Sequence, residues 1–114
     1  MPRFVVLEHT RDSGSHFDLM LEEGGALLTW SFEGFPATGM SCRCLFDHRL
    51  RYLDYEGDIG GGRGTVKRVD SGTFDMLARM DDCLYITLRG ERLRGNHRLT
   101  KSTGDDWTFE AESS

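Results

Sequence analysis

The stretch His16-Phe17-Asp18-Leu19-Met20-Leu21-Glu22 decides the fold, because it alternates in character along its whole length. Successive side chains of a β-strand point to opposite faces. One face therefore carries Phe17, Leu19 and Leu21, and the other carries His16, Asp18, Met20 and Glu22. The second face presents an imidazole and a carboxylate in the same direction. A strand that only covered a core would not need that pair.

A third chemical group, His9, closes the preceding apolar run Phe4-Val5-Val6-Leu7. The segment 10–15 between the two runs contains Arg-Asp-Ser-Gly-Ser, which is turn chemistry and predicts a β-hairpin. A hairpin would bring His9, His16 and Asp18 together. Two imidazoles and one carboxylate are a usual ligand set for a divalent transition metal with open positions for substrate. The alternative is a solvated face or an ion pair, and local spacing alone favours it because short motifs give many false positives.

Length and composition limit the class of protein. The chain has 114 residues, 38% of them hydrophobic, which is typical of one soluble globular domain spanning 1–114. A net charge of −5 argues against binding nucleic acid by bulk electrostatics, although local phosphate recognition is compatible with it. The first apolar run is too short for a signal peptide, and no stretch could span a membrane, so we expect a cytoplasmic protein. The three cysteines do not form a disulfide framework or zinc spacing, so we expect reduced, buried or half-buried thiols.

Short apolar runs separated by Gly, Asp or Ser predict an all-β barrel or sandwich. The predicted strands are 3–9, 16–22, 26–32, 42–46, 51–55, 65–69, 72–76, 83–89, 96–101 and 106–110. Only 74–80 has a helical pattern, of one or two turns at most. Segment 57–64 is glycine-rich, and the tail 110–114 is expected to fray. We expect Trp30 and Trp107 in the core and His97 at the surface.

A second candidate cluster is His48 with Tyr52. In an extended strand these two residues would lie about 13–14 Å apart, so only a bulge or turn at Arg49 could bring them together. Both side chains can donate to a phosphate oxygen, and His48 could also act as a general acid. The alternative is that Tyr52 packs in the core and His48 caps a turn.

Several motifs occur in a recognisable order from about Phe4 to Phe109. They are Phe4-Val5-Val6-Leu7-Glu8-His9, the His16–Glu22 strand, Leu28-Thr29-Trp30, Asp47-His48, Tyr52-Leu53-Asp54-Tyr55-Glu56-Gly57, Gly62-Arg63-Gly64-Thr65-Val66, Asp70-Ser71-Gly72-Thr73-Phe74, Leu84–Gly95 and Trp107. In this order and spacing the chain resembles the 3′-phosphoesterase domain of bacterial DNA ligase D and its stand-alone homologues.

The resemblance implies a compact single-domain β-barrel with a Mn²⁺ site, or a site for another divalent transition metal. The implied activity removes terminal ribonucleosides and then 3′-phosphates from DNA 3′ ends during end-joining repair. His9, His16 and Asp18 would be the metal ligands, and His48 and Tyr52 would contact the phosphate. All five would then belong to the catalytic machinery.

The sequence departs from the family pattern at two site positions. Met20 stands where the family usually has a phosphate-binding Arg, and Phe46 stands where an acidic residue is common. The loop between His9 and His16 is one residue longer than usual, and the glycine loop after Gly57 is shorter. Loss of a charge-assisted phosphate contact typically costs about 1.5–3 kcal/mol, and we expect Arg63 to supply the missing charge.

These departures leave two other functions open. One is a non-catalytic or weakly active metal-containing module that binds DNA ends or a repair partner. The other is a phosphoesterase that acts on a substrate other than DNA. For the enzyme itself, the expected partners are DNA 3′ ends and a separate ligase or polymerase, with a monomeric chain and no membrane association.

Overall fold

The computed structural model describes residues 1–112 and is built almost entirely of β-strands. Within these residues the elements are β1 (Arg3–Arg11), β2 (Gly14–Glu23), β3 (Ala26–Phe32), β4 (Met40–His48), a 3₁₀ turn (Leu50–Leu53), β5 (Gly57–Asp58), β6 (Thr65–Met80), β7 (Cys83–Gly90), β8 (Arg94–Thr103) and β9 (Asp106–Ala111).

The strands form one antiparallel sheet that closes on itself. Its order is β1-β2-β3-β4-β9-β8-β7-β6, and β6 pairs back with β1. The sixteen-residue strand β6 closes the barrel, because its first part pairs with β1 and its second part pairs with β7. The two residues of β5 pair with the beginning of β6. The prediction of an all-β barrel is confirmed.

Two apolar clusters lie on opposite sides of the sheet. The larger one fills the ring and takes residues from eight strands, including Phe4, Leu19, Trp30, Cys42, Phe74, Ile86, Leu99 and Phe109. The smaller one, which we call the outer cluster, consists of Val5, Leu7, Met20, Leu27, Leu53 and Val66, with Tyr52, Tyr55 and Ile59 packed against it. Both faces of β1 and β2 are therefore buried over part of their length, which explains why a methionine occupies the polar face of β2.

Two local predictions were wrong. Segment 51–55 is not a strand, because the chain turns after β4 and enters the 3₁₀ turn, which buries Leu53 in the outer cluster. Segment 74–80 is not helical but belongs to β6. A register shift lies between Met76 and Ala78, so Leu77 is the extra residue of a bulge and is exposed. Because of this bulge the apolar residues Met76 and Leu77 are adjacent in sequence, and this spacing resembles that of an amphipathic helix.

The predicted strands 65–69 and 72–76 are one continuous strand, β6. The Asp-Ser-Gly sequence between them is not a turn. The buried Asp70 carboxylate accepts hydrogen bonds from the backbone N–H groups of Ser71, Glu91, Arg92 and Leu93, at 2.8–3.3 Å. Asp70 therefore ties β6 to the loop between β7 and β8.

His97 is buried rather than at the surface, so that prediction was wrong. Its ring stacks on Phe109, with 4.8 Å between ring centroids, and its Nδ1–H donates to the Gly95 carbonyl. Burial lowers the pKa of His97. The expected fraying of the tail 110–114 stays a prediction. There β9 includes Glu110 and Ala111, while 113–114 lie outside the described residues.

The remaining expectations about the core are confirmed. Trp30 and Trp107 are buried and pack edge to face. Cys42 and Cys83 are buried free thiols and Cys44 is a half-buried one. Burial raises the pKa of Cys42 to about 12, so its thiol stays protonated. None of the helical segments in residues 1–112 has the length and apolar character needed to cross a membrane.

Candidate functional site

The β1–β2 hairpin forms as predicted and brings three chemical groups together on the outer face of the barrel. His9 and His16 are directly opposite each other in the register, and Asp18 follows on the same face of β2. His9 Nδ1 lies 3.2 Å from His16 Nε2, and His16 Nε2 lies 3.3 Å from Asp18 Oδ1. One ligand atom from each residue lies within 4.8 Å of the others. Ligands that share one metal at about 2.0–2.2 Å have comparable separations, so the geometry fits a metal.

The surroundings of these groups also fit a cation. His9 Nε2–H donates to the Arg63 carbonyl at 2.7 Å, and this bond leaves the Nδ1 lone pair directed at the cluster. Asp18 is buried, and within residues 1–112 the group that faces its Oδ1 is His16 Nε2 at 3.3 Å, which is a long ion-pair distance and not a well-formed hydrogen bond. A buried carboxylate oxygen without a well-formed hydrogen bond is costly unless a positive charge compensates for it. The structure thus has a His-His-Asp site suited to a metal.

Without a bound metal, a proton on His16 would be the simplest compensating charge. The neighbouring Asp18 carboxylate raises the pKa of His16, while partial burial of the ring and the Arg11 charge oppose the rise. A metal ligand must present a lone pair, so a bound metal would take the place of this proton.

The second predicted cluster also forms. The chain turns at Arg49, so His48 at the end of β4 and Tyr52 in the 3₁₀ turn come together, with 6.0 Å between their ring centroids. His48 Nδ1–H donates to the Phe46 carbonyl at 2.9 Å, which leaves Nε2 available to a ligand. Both rings line one cavity of about 410 Å³ together with His9 and Asp18. The two clusters therefore face a common space.

Met20 also lines this cavity, but it belongs to the outer cluster and only 2% of its surface is exposed. The neighbouring apolar side chains hold it as part of the cavity wall. Met20 contributes neither a charge nor a hydrogen-bond donor, so any cationic side chain that contacts a substrate must come from another residue at the rim of the cavity.

Four arginines line the cavity. Arg51 lies over the rings of Tyr52 and Tyr55. The Arg63 guanidinium donates to the carbonyls of Ile59 and Gly60 in its own loop. The other two, Arg11 and Arg49, are exposed, and neither side chain has a hydrogen bond or ion pair with another residue of the described chain.

Sequence reasoning did not single out Arg11 as a site residue. Arg11 lies two residues after His9 on β1 and so takes the same face, and this period-two spacing could have identified it. It also lines a second cavity, of about 520 Å³, which includes His9, His16 and Asp18. By contrast, nothing in the sequence indicates that the Arg63 carbonyl orients His9.

Comparison with known proteins gives concordant results. Residues 7–101 match the family described as "DNA Ligase D 3'-phosphoesterase domain". A "Multifunctional non-homologous end joining protein LigD" of Mycobacterium bovis is 33% identical over 115 residues, which cover 91% of this chain and 15% of that protein. A "Multifunctional non-homologous end joining DNA repair protein LigD" of Mycobacterium tuberculosis has the same identity and coverage.

A third relative, from Mycolicibacterium smegmatis, is 29% identical over 123 residues, which cover 92% of this chain and 16% of that protein. The chain thus spans about 15% of the length of these relatives. The family match covers most of the chain and includes both clusters of the site. The chain therefore belongs to the DNA ligase D 3′-phosphoesterase domain family.

Proposed function

We propose that this chain is a metal-dependent phosphoesterase that removes 3′-terminal ribonucleosides and 3′-phosphates from DNA ends during end-joining repair. Its cofactor would be Mn²⁺ or another divalent transition metal. The observation that carries the proposal is the convergence of His9, His16 and Asp18 in one cluster, of which His9 and Asp18 line the same cavity as His48 and Tyr52. The family membership supports the same chemistry.

The proposed division of labour follows from the side chains. His9, His16 and Asp18 would hold the metal, which when bound supplies Lewis acidity and lowers the pKa of a water. Protonated His48 would donate from Nε2 to the phosphate, because its Nδ1 is held by the Phe46 carbonyl. The Tyr52 hydroxyl would donate to a second phosphate oxygen. Such donors stabilise charge that develops during hydrolysis.

The charge usually provided at the position of Met20 must come from another residue. We propose that Arg63, as predicted from the sequence, and Arg11 share this role. Arg63 uses donors on Nε and one terminal nitrogen within its loop, and its other terminal nitrogen makes no hydrogen bond to residues 1–112. Arg11 approaches from β1, on the same face as the metal cluster.

The same proposal assigns partners and location. The substrate would be a DNA 3′ end in a primer–template, with or without a terminal ribonucleotide. A separate ligase or polymerase would complete the repair. We further propose that the chain acts as a monomer in the cytoplasm without membrane association.

A second candidate is a metal-containing module that binds DNA ends or a repair partner without efficient catalysis. The observation that favours it is the burial of Met20 in an apolar wall where the family usually has a charged group. A phosphoesterase for a non-DNA substrate is the related alternative, consistent with a net charge of −5.

The test is an end-processing assay with Mn²⁺ and with chelator. One duplex ends in a single 3′-ribonucleotide and the other ends in a 3′-phosphate. We expect shortening of the first and dephosphorylation of the second, both abolished by chelator and by His16→Ala. Metal binding without turnover of either duplex would favour the binding module. Turnover of a small phosphate ester but not of DNA would favour the other substrate class.

A further inference from the structure

Phe46 is an exposed aromatic ring at the rim of the site. It projects from β4 with 80% of its surface exposed, and it is the one aromatic side chain among the exposed large hydrophobic residues of the described chain. It lines both cavities that contain His9, Asp18 and His48. A ring in this position does not stabilise the core, because neither apolar cluster includes it.

The orientation of the ring is fixed by its neighbour. The rings of Phe46 and His48 are stacked, with 5.0 Å between centroids and 6° between planes. The Phe46 carbonyl also accepts a hydrogen bond from His48 Nδ1–H. One face of the phenyl ring therefore lies against the proposed phosphate-binding imidazole, and the other face is open to solvent.

An open aromatic face beside cations is a typical surface for a single nucleic-acid strand. Bases stack on such rings with little sequence preference, and arginines track the backbone. Arg11 and Arg49 line the same cavity as Phe46 and are not paired with acids within residues 1–112. A base attached to the terminal sugar lies within a few ångströms of the 3′-phosphate. A phosphate held by His48 would therefore place that base close to the ring.

We propose that Phe46 is a stacking platform for the nucleobase next to the 3′-phosphate, and that it makes this site selective for nucleic-acid ends over small phosphate esters. The inference rests on the proposed function. It assigns a ligand-contacting role to a residue at a position where the family commonly has an acid.

A double-mutant cycle between protein and substrate tests this role. The substrates are two duplexes with a 3′-phosphate, one with a natural base on the terminal nucleotide and one with an abasic analogue there. We expect Phe46→Ala to lower kcat/KM about tenfold more on the natural substrate than on the abasic one, since any effect through His48 is common to both. Phe46→Trp should retain the preference for the natural base, whereas Phe46→Leu should behave like Phe46→Ala.

The possible outcomes separate this inference from the proposed function. If the wild-type chain processes neither duplex, the proposed function fails. If it processes both, and Phe46→Ala lowers kcat/KM equally on both, Phe46 only positions His48 and the stacking role is refuted. A fluorescence readout is independent of turnover rate. With 2-aminopurine as the terminal base, binding to the wild-type chain should quench emission, and binding to Phe46→Ala should not.

Discussion

Replacement of Arg11 by alanine should weaken phosphate recognition without removing the metal site. A charge-assisted contact with a phosphate contributes about 1.5–3 kcal/mol. Arg11 is exposed, so water screens its charge and the lower end of that range applies. About 1.5 kcal/mol corresponds to roughly a tenfold loss of kcat/KM on a 3′-phosphate duplex. Arg11→Lys should retain part of the activity, because an ammonium keeps the charge but not the bidentate geometry.

The matched control for this experiment is Arg43→Ala, since Arg43 is an exposed arginine of β4 that does not line the cavity. Mn²⁺ affinity should be no weaker in Arg11→Ala than in the wild-type chain, because removing a nearby cation does not disfavour a metal. Adding Met20→Arg should restore activity to Arg11→Ala, since residue 20 lines the same cavity. The reasoning is refuted if Arg11→Ala keeps the wild-type kcat/KM and phosphate affinity.

Three further predictions concern stability, each measured in chelator so that metal binding does not contribute. Asp70→Ala should lower the unfolding free energy in urea by about 2–4 kcal/mol, because it leaves buried backbone N–H groups without an acceptor; an unchanged midpoint would contradict this. Gly90→Ala should lower the unfolding free energy by about 1–3 kcal/mol, because a Cβ there would lie 2.6 Å from Phe4 Cζ and 2.7 Å from Asp70 Oδ2. A wild-type Tm for this variant would contradict the prediction and show that the backbone relaxes. Burial lowers the pKa of folded His97 below the ordinary 6.5, so the unfolded chain binds the proton more tightly and stability falls as pH drops below about 6.5. His97→Phe should reduce the fall in Tm between pH 7.5 and pH 5. An equal fall in Tm in the variant and the wild-type chain would show that His97 does not cause the pH dependence of stability.

The parts of the site that the sequence predicted depend on local periodicity. His16 and Asp18 share a face because strand side chains alternate, and His9 joins them because the turn at 12–13 pairs it with His16. Both relations concern residues close in sequence, so no long-range information was needed. The barrel could be predicted for a similar reason, since short apolar runs and turn residues alternate along the chain.

The parts that the sequence did not predict depend on contacts between distant segments. The chain leaves the β4 direction at Arg49 because Leu53 is buried against Val5, Leu7 and Leu27, and the local alternation in 51–55 contains no sign of that cluster. Likewise, the role of Asp70 depends on backbone groups about twenty residues away. The orientation of His9 depends on a carbonyl 54 residues away. Pattern alone cannot identify such partners.

The most direct measurement is Mn²⁺ binding by electron paramagnetic resonance in the wild-type chain and in His9→Ala, Asp18→Ala and His48→Ala, with circular dichroism to verify the β fold. We predict one bound Mn²⁺ per chain for the wild-type protein and for His48→Ala, whose imidazole contacts phosphate rather than metal. We predict no measurable binding for the folded His9→Ala and Asp18→Ala variants. Wild-type Mn²⁺ affinity in both of these variants would contradict the metal site.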